Sequence, residues 1–327
     1  MKESRLGPRK VLVGTTMHNM FVPYPGLQAR LQELASLVDS MAQSAVKEYP
    51  NASLDIAVLP ENAVNGGKEG DAKEVSYPLE GDILEVMGAC ARRNRCYIVV
   101  PLYLVDNREQ GLYSNAAALL DREGNVAGIY RKVFTVLNPG EIATEGGVTP
   151  GKEFPVFECD FGKVGIQICY DMAFDEGWET LKRKGAELIV WPTQWPGQIN
   201  PAARALHGKY FVLSSTWRNN ASLLDPTGHL ICETRQNGVF VAQIDLDYVL
   251  LHWQPTLLNG KAFDTAFGER AGYRYSEAED GGIFWSNDPA LPITEMVRML
   301  GFEEAGAELA RCHTALETFR GGAPSLC

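Results

Sequence analysis

The sequence predicts an α/β fold with mixed β-sheets, and three observations support this prediction. Short apolar runs of strand length alternate with longer segments whose apolar residues recur at helical spacing. Two pairs of strand-like runs are separated by short polar turns, and such antiparallel hairpins make a sheet mixed. The 327 residues are 45% hydrophobic and 22% charged, which is the composition of a globular chain with ample material for a core.

The β–α alternation begins near the amino end. "KVLVGTT" predicts a buried first strand, and a helix follows within residues 26–50. The apolar stripe of this helix consists of Leu27, Leu31, Leu34, Leu37, Val38 and Met41. "DIAVLPENAV" predicts a second strand that stops at Pro60, "GDILEVMGACARRNR" a second helix, and "CYIVVPLYLVD" a third strand. Two β–α units therefore open the fold.

Two hairpins are predicted farther along the chain. The first joins "LYSNAAALL" to "NVAGIYRKV" through a polar turn at residues 121–125, and the second lies in "ASLLDPTGHLICET" with its turn at residues 225–228. Between them the alternation resumes, with strands in "GKVGIQIC", "AELIVWPTQW" and "FVLSSTW" and helices in "FDEGWETLKRKG" and "PAARALHGKY". "GVFVAQIDLD" closes the set with one more strand.

The composition changes at about Trp253. The sequence beyond it is Gly-rich, aromatic and charged, with two predicted helices at residues 293–300 and 303–319. We expect it to contain too few apolar residues for a core of its own. Residues 1–252 are therefore predicted to form the main domain, and residues 253–327 an extension that packs on this domain or on a second subunit.

Charge and cysteine content argue against several functional classes. A net charge of −11 gives no electrostatic reason to bind nucleic acid and would repel an anionic membrane surface. The seven cysteines are odd in number and contain no CxxC pair, so neither a disulfide framework nor a zinc site is indicated. No signal peptide is recognised, and the longest apolar run, "YIVVPLYLV", is far shorter than the roughly 20 residues of a membrane span. We expect a soluble, cytoplasmic protein with reduced thiols.

Three polar residues stand where apolar strands stop: Glu61, Lys132 and Cys169. Taken singly, each has an ordinary structural explanation, namely a loop carboxylate, a surface base and a small buried residue. Together they supply a base, a cation and a nucleophile at strand ends, where open α/β folds place their ligand crevices. The following helix and the lysine are expected to lower the pKa of the thiol. The other common thiol-hydrolase design pairs cysteine with histidine, but the sequence around His207, the one candidate, does not support it.

The three motifs "LPENAV", "YRKVF" and "GIQICYDMAF", in this order, resemble the Glu-Lys-Cys signature of the nitrilase superfamily of carbon–nitrogen hydrolases. The resemblance extends over residues 10–250. It implies a four-layer αββα sandwich whose subunits pair into a homodimer or larger assembly. It also implies a thiol amidohydrolase that acts on a small amide through a thioester and requires neither a metal nor an organic cofactor.

The resemblance also assigns roles by position. Glu61 would be the general base, Cys169 the nucleophile, and Lys132 the oxyanion partner, with help from the backbone N–H of Tyr170. A second glutamate of the family precedes the "TPG" sequence, and Glu145 fits this place better than Glu141, which remains the alternative.

Other residues are candidates for substrate contact. Gln194 and Trp195 follow a strand end and are candidate pocket residues, together with the Tyr170 side chain; core packing is an equally good explanation for Trp195.

Departures from the family pattern bear on the substrate. Cys169-Tyr170-Asp171 resembles the amidase and carbamoylase branches more than the Cys-Trp-Glu of nitrilases, which favours an amide over a nitrile. Many relatives have an arginine where this chain has Ala173, so a guanidinium that could bind a substrate carboxylate is missing there. A neutral or differently anchored substrate is therefore expected. An N-carbamoyl hydrolase, a nitrilase and a non-catalytic binding or scaffold relative remain the alternatives.

Overall fold

The computed structural model describes residues 8–140 and 142–321. These residues form two compact units. Residues 11–244 form one unit, and the described parts of residues 1–10 and 245–327 form the other.

The larger unit contains a 12-stranded mixed sheet, whose first half has the strand order β5-β4-β3-β2-β1. Strands β1, β2 and β3 are parallel, and β4 forms antiparallel hairpins with β3 and β5. The strands are β1 (Lys10–Met17), β2 (Ile56–Val58), β3 (Tyr97–Asn107), β4 (Leu112–Leu120) and β5 (Val126–Arg131). The helices of this half are α1 (Leu27–Glu48), α2 (Ala72–Val75) and α3 (Asp82–Asn94). The predicted first hairpin is therefore confirmed.

The second half has the order β9-β8-β7-β6, with β7, β8 and β9 parallel. Its members are β6 (Val156–Glu158), β7 (Lys163–Ile166), α4 (Asp175–Arg183), β8 (Leu188–Thr193), α5 (Ile199–Gly208) and β9 (Phe211–Thr216). A second antiparallel hairpin, β10 (Ala221–Leu224) and β11 (Leu230–Thr234), pairs with β9, and β12 (Gly238–Asp245) pairs with β1. The two halves are joined at one residue pair, Met17 with Thr216.

Helices cover each half of the sheet on its outer side. Leu31, Leu34, Val38 and Met41 of α1 are fully buried in one apolar core that includes Met87 of α3 and strand residues of the first half. On the second half, α5 contacts β9, and Leu181 of α4 lies directly over Gly165 of β7. The result is the predicted four-layer αββα sandwich with mixed sheets.

The smaller unit contains an antiparallel sheet with the order β13-β15-β14. Its elements are β13 (Tyr248–His252), α6 (Lys261–Phe267), β14 (Ala271–Ser276), β15 (Gly281–Ser286), α7 (Ile293–Leu300) and α8 (Ala305–Arg320). Leu251, Phe263, Phe284 and Met296 are buried together in a core of this unit. The expectation that this region lacks apolar material for a core is therefore wrong, because aromatic side chains supply much of it. The division lies at residue 245, before the predicted boundary at Trp253, since β13 pairs with β15.

Within residues 8–140 and 142–321, no helix has both the length and the apolar character that crossing a membrane requires.

Candidate active site

Cys169 begins a short 3-10 turn, Cys169–Ala173, which follows β7. Its φ of 43° lies in the left-handed region, where a residue with a side chain is strained by about 1–3 kcal/mol. The indole N–H of Trp191 donates to the Cys169 carbonyl at 3.1 Å and fixes the turn. The half-buried thiol is therefore presented by a constrained backbone at the carboxyl end of a strand.

Glu61 lies in the turn that follows β2, directly after Pro60, and it is only 2% exposed. Its Oε1 atom accepts from Lys132 Nζ at 3.1 Å and from Asn115 Nδ2 at 2.9 Å. Its Oε2 atom accepts from the backbone N–H of Gln194 at 3.0 Å. Strand ends from both halves of the sheet therefore meet at this one carboxylate.

Lys132 directly follows β5 and is 1% exposed. Its Nζ atom lies 2.6 Å from Glu145 Oε1 and 3.1 Å from Glu61 Oε1. Burial alone would lower the pKa of Lys132, but the charges of Glu61 and Glu145 raise that pKa above its ordinary value. The lysine is therefore a fixed ammonium ion between two carboxylates.

Glu145 sits in a 3-10 turn, Thr144–Gly146, with a φ of 42°. Besides the lysine, it accepts from the backbone N–H of Val136 at 2.9 Å and from Asn115 Nδ2 at 2.9 Å. The structure thus brings the preferred second glutamate into contact with the lysine. The alternative, Glu141, lies outside the described residues.

The Cys169 thiol lies next to Glu61, and its acidity differs from the expectation. Burial and the charge of Glu61 raise the pKa of the thiol, while the charge of Lys132 and a hydrogen bond from Thr193 lower it. The net result is a pKa of about 12. The expectation that the following helix and the lysine give a low thiol pKa is therefore wrong for the resting site, because desolvation and Glu61 outweigh them. The sulfur holds its proton at neutral pH.

Asn115 is a central site residue that the sequence analysis missed. It is 1% exposed on β4, and its single Nδ2 group bridges Glu61 and Glu145. A polar residue at the start of the run "NAAALL" was the available signal. The Tyr103 hydroxyl is also close enough for the charges of Glu145 and Glu61 to raise its pKa, after burial as the main cause.

A cavity of about 270 Å³ adjoins this cluster. Its lining includes Glu145, Gln194, Tyr103, Asn62, Lys68 and Trp217. Gln194 therefore lines this cavity, and its backbone N–H also donates to Glu61 Oε2.

The other candidate residues are placed differently. Tyr170 and Trp195 are 36% and 38% exposed and are not part of this cavity's lining in the described chain. Tyr170 packs edge-on against Phe174, and the backbone N–H of Trp195 donates to Thr193 Oγ1. His207 lies exposed on α5, where it pairs with Glu179 at 2.8 Å.

No group of three or more His, Cys, Asp or Glu side chains in the described part of the chain is arranged to hold a metal ion.

Comparison with known proteins places this chain in a family. The carbon-nitrogen hydrolase family model matches residues 21–250, and the chain belongs to this family. The protein is thus an amidase-like hydrolase that acts on carbon–nitrogen bonds.

Curated relatives agree with this assignment, and solved structures agree with the fold. The omega-amidase NIT2 of Danio rerio is 27% identical over 231 residues, which cover 64% of this chain and 82% of that protein. Nit3 of Saccharomyces cerevisiae superposes with a TM-score of 0.61 at 20% identity, over 81% of this chain and 97% of that chain. A variant of the Nesterenkonia sp. AN1 amidase, which carries the acetamide moiety of fluoroacetamide on its active-site cysteine, superposes with a TM-score of 0.58 at 17% identity, over 73% of this chain and 92% of that chain. At these identities the two solved structures support the fold alone.

Proposed function

We propose that the protein hydrolyses the C–N bond of a small amide through a thioester on Cys169. The observation that carries this proposal is the meeting of thiol, carboxylate and ammonium groups from three distant sequence segments in one buried site. A buried ion pair beside a cysteine is costly to maintain, and catalysis is a sufficient reason for it.

Glu61 acts as the general base in the acylation half. The thiol pKa of about 12 means that the sulfur must lose its proton during the attack, and Glu61 is the neighbouring acceptor. As the C–S bond forms, the carbonyl oxygen gains negative charge, which Lys132 Nζ and the backbone N–H of Tyr170 stabilise. Glu61 then returns the proton to the nitrogen, and the C–N bond breaks to release ammonia or an amine.

The second half hydrolyses the thioester. Glu61 removes a proton from a water molecule, whose oxygen attacks the acyl carbon, and the proton then returns to the departing sulfur. The product is a carboxylic acid, and the thiol is restored. No redox change or additional group is needed for the atoms to balance.

Glu145 orients the ammonium group. It accepts from Lys132 at 2.6 Å and shares Asn115 with Glu61, so it fixes where Nζ points. A carboxylate in this position also keeps the lysine protonated.

The cavity beside the cluster supports the proposal of a small substrate. Its volume of about 270 Å³ accommodates a short acyl group, and Gln194 and Tyr103 offer polar contacts. We propose that Gln194 contacts the substrate and that Tyr170 and Trp195, exposed near the nucleophile and β8, make contacts at the entrance. The loss of an arginine at Ala173 favours a substrate that is not anchored there by a carboxylate.

The decisive test uses Cys169→Ala with Cys159→Ala, another half-buried cysteine, as the matched control. Ammonia release is measured over a panel of small amides, nitriles and N-carbamoyl compounds. We expect turnover of an amide by the wild type and by Cys159→Ala, and none by Cys169→Ala. Carbon dioxide release would instead identify a carbamoylase, and nitrile turnover a nitrilase.

Intact-mass analysis provides a second, independent measurement. Incubation with fluoroacetamide should add one acetamide group to Glu61→Gln, which lacks the base for hydrolysis, as the sulfur displaces fluoride, and none to Glu61→Gln combined with Cys169→Ala. Retained turnover in Cys169→Ala would exclude the thioester mechanism. Failure of the wild type on every compound, with no labelling of Glu61→Gln, would favour a non-catalytic relative.

We also propose a homodimer or larger homo-oligomer, which the family resemblance implies. The exposed apolar side chains Leu309, Leu316 and Phe319 on α8 support an additional contact surface. Light scattering coupled to size-exclusion chromatography tests this directly, and a monomeric mass at micromolar concentration would contradict it.

A further inference from the structure

We propose that Asp171 is a positioning residue, which holds the turn that carries Cys169 against the segment that carries Lys132. The inference rests on the proposed function, since it concerns how nucleophile and ammonium are kept together. Asp171 itself contacts neither the thiol nor the lysine among the described hydrogen bonds.

The Asp171 carboxylate is fully buried and accepts three hydrogen bonds. Its Oδ2 atom accepts from the Tyr130 hydroxyl at 2.7 Å and from the backbone N–H of Ile168 at 2.8 Å. Its Oδ1 atom accepts from the backbone N–H of Phe134 at 2.9 Å. Every donor is therefore a neighbour in sequence of a proposed catalytic residue.

The positions of these donors explain the proposed role. Tyr130 and Phe134 flank Lys132 on both sides, and Ile168 directly precedes Cys169. Tyr130 belongs to β5 in the first half of the sheet, whereas the Cys169 turn follows β7 in the second half. One carboxylate thus ties the two halves together beside the reacting groups, and it fixes the separation of sulfur and ammonium.

Two further hydrogen bonds fix the Asp171 backbone and the Tyr130 hydroxyl. The indole N–H of Trp178 on α4 donates to the Asp171 carbonyl at 3.1 Å, and Gln167 Nε2 donates to the Tyr130 hydroxyl at 3.3 Å. Asp171 is therefore held by α4, and Tyr130 is held by Gln167, the residue that follows β7. A rigid support of this kind is what a precisely placed nucleophile requires.

The charge state of Asp171 should control this support. Burial raises the pKa of Asp171 to about 6, against the lowering effect of its three hydrogen bonds and of the Lys132 charge. Two charged or titratable groups act on Asp171: Lys132, just after β5, and Tyr130 on β5. Burial and the charge of Asp171 in turn raise the pKa of Tyr130. A proton on the carboxylate would face donors instead of acceptors, so at least one hydrogen bond would be lost below pH 6.

The test compares Asp171→Asn, Tyr130→Phe and the double variant in steady-state kinetics on the substrate found for the wild type. We expect Asp171→Asn to lower kcat about 100-fold with KM changed less than about threefold, because binding is intact but the nucleophile is misplaced. Tyr130→Phe should lower kcat about tenfold. Since Tyr130 acts through Asp171, the double variant should be no slower than Asp171→Asn.

The pH profile separates positioning from mere stability. Wild-type kcat should fall as the pH drops through about 6, and this step should be absent in Asp171→Asn. Tyr130→Phe removes a hydrogen bond that lowers the pKa of Asp171, so the step should move to higher pH. Tyr130→Phe is also the variant that carries the test if Asp171→Asn does not fold.

Asp225→Asn serves as the matched control. Asp225 is equally buried and accepts from the backbone N–H of Thr227 at 2.8 Å in the β10–β11 turn. Leu224 of β10 pairs with Val212 near the start of β9, so this turn lies at the sheet edge opposite to the site. We expect a lower unfolding temperature for this variant and an unchanged pH profile.

Any one of three results would overturn the inference. The first is an unchanged kcat in Asp171→Asn, and the second is a loss of kcat in the double variant that equals the product of the two single losses. The third is a pH step in Tyr130→Phe at the same pH as in the wild type. If Cys169→Ala is inactive in the same assay, such a result leaves the thioester mechanism intact. If Cys169→Ala retains turnover, the proposed function itself fails.

Discussion

At the residue scale, the proposed chemistry depends on the acidity of the Cys169 thiol. Glu61 and Lys132 act on this thiol, and Lys132 is also paired with Glu145 in the same buried site, so the charges interact strongly. Glu61 both raises the pKa of the thiol and accepts its proton in the proposed mechanism. These two effects of one residue can be separated experimentally.

Glu61→Gln should make the thiol more acidic and the enzyme inactive. Removing the Glu61 charge takes away a cause that raises the pKa of Cys169, so that pKa falls below about 12. Alkylation of the thiolate by iodoacetamide, followed by intact mass between pH 7 and 10, should then begin at lower pH than in the wild type. Turnover should fall at least about 1,000-fold, because the base is gone.

Glu158, which is exposed and paired with Lys163, provides the control. Glu158→Gln should change neither the pH at which alkylation begins nor the turnover. Slower alkylation in Glu61→Gln, or turnover close to the wild-type rate, would contradict the assignment of Glu61 as base.

Asn115→Leu should lower both stability and activity, because Asn115 holds the carboxylates of Glu61 and Glu145. Glu61 and Glu145 each lose a buried hydrogen bond, which costs about 1–3 kcal/mol of stability, and the lysine loses its fixed position. We expect kcat to fall about 10–100-fold. Thermal unfolding and steady-state kinetics measure the two effects.

Asn94→Leu is the matched control for this variant. Asn94 likewise bridges two acceptors, Asp39 and the Cys90 carbonyl, but on helices α1 and α3. It should lower stability by a similar amount and leave kcat unchanged. Equal kinetic losses in both variants would show that Asn115 acts through general stability.

At the scale of elements, strand direction explains why the site could be predicted in part. Strands β1, β2 and β3 run in one direction, β4 is reversed, and β5 is reversed again, so the carboxyl ends of β2 and β5 share one edge. Parallel pairing through β9 extends this edge to β7 and β8. Polar residues at these strand ends, Glu61, Lys132 and Cys169, were therefore recognisable from apolar runs that stop.

Asn115 could not be found in the same way, because its place depends on register. It enters the site because Lys132 N donates to its carbonyl at 2.8 Å, in line with the β4–β5 pairing of Ala116 with Arg131. A slip of one residue would turn its side chain to the other face. The thiol pKa was missed for a related reason, since burial is a property of the assembled layers and not of the local sequence.

Helix α4 offers a prediction at this scale, at the close approach of Gly177. A Cβ atom there would collide with Gln167 Oε1 and would lie 2.8 Å from the Phe154 ring. Gly177→Ala should therefore destabilise the protein by about 1–3 kcal/mol, although alanine favours helices. Chemical denaturation measures the change.

Gly306→Ala in α8 is the matched control, because nothing lies within 4 Å of its Cβ position. It should be neutral or stabilising by up to about 1 kcal/mol. A neutral Gly177→Ala would mean that α4 and β7 are not packed as tightly as the structure has them.

At the scale of the whole molecule, two hydrophobic cores among the described residues differ in composition. The core of residues 11–244 is built mainly from aliphatic side chains on strands and helical stripes, and periodicity in the sequence predicted it. The core of the smaller unit depends on aromatic residues spread among glycines and charges, such as Phe263, Phe267 and Phe284. Such residues come together only through the β13-β15-β14 pairing, so a count of apolar runs underestimated them.

Phe263 gives the prediction that tests this second core. It is fully buried, with the Phe284 ring at 4.7 Å and the Phe302 ring at 5.9 Å between centroids. Phe263→Ala removes these contacts and leaves a cavity, which should cost the unit about 3–5 kcal/mol. Hydrogen exchange followed by mass spectrometry should show lost protection in β13, β14 and β15. Phe319→Ala, at an aromatic residue of the same unit that is 57% exposed, should change protection little. If both variants exchange alike, the aromatic cluster does not stabilise this unit, and the fold of residues 245–321 must depend on contacts other than its own core.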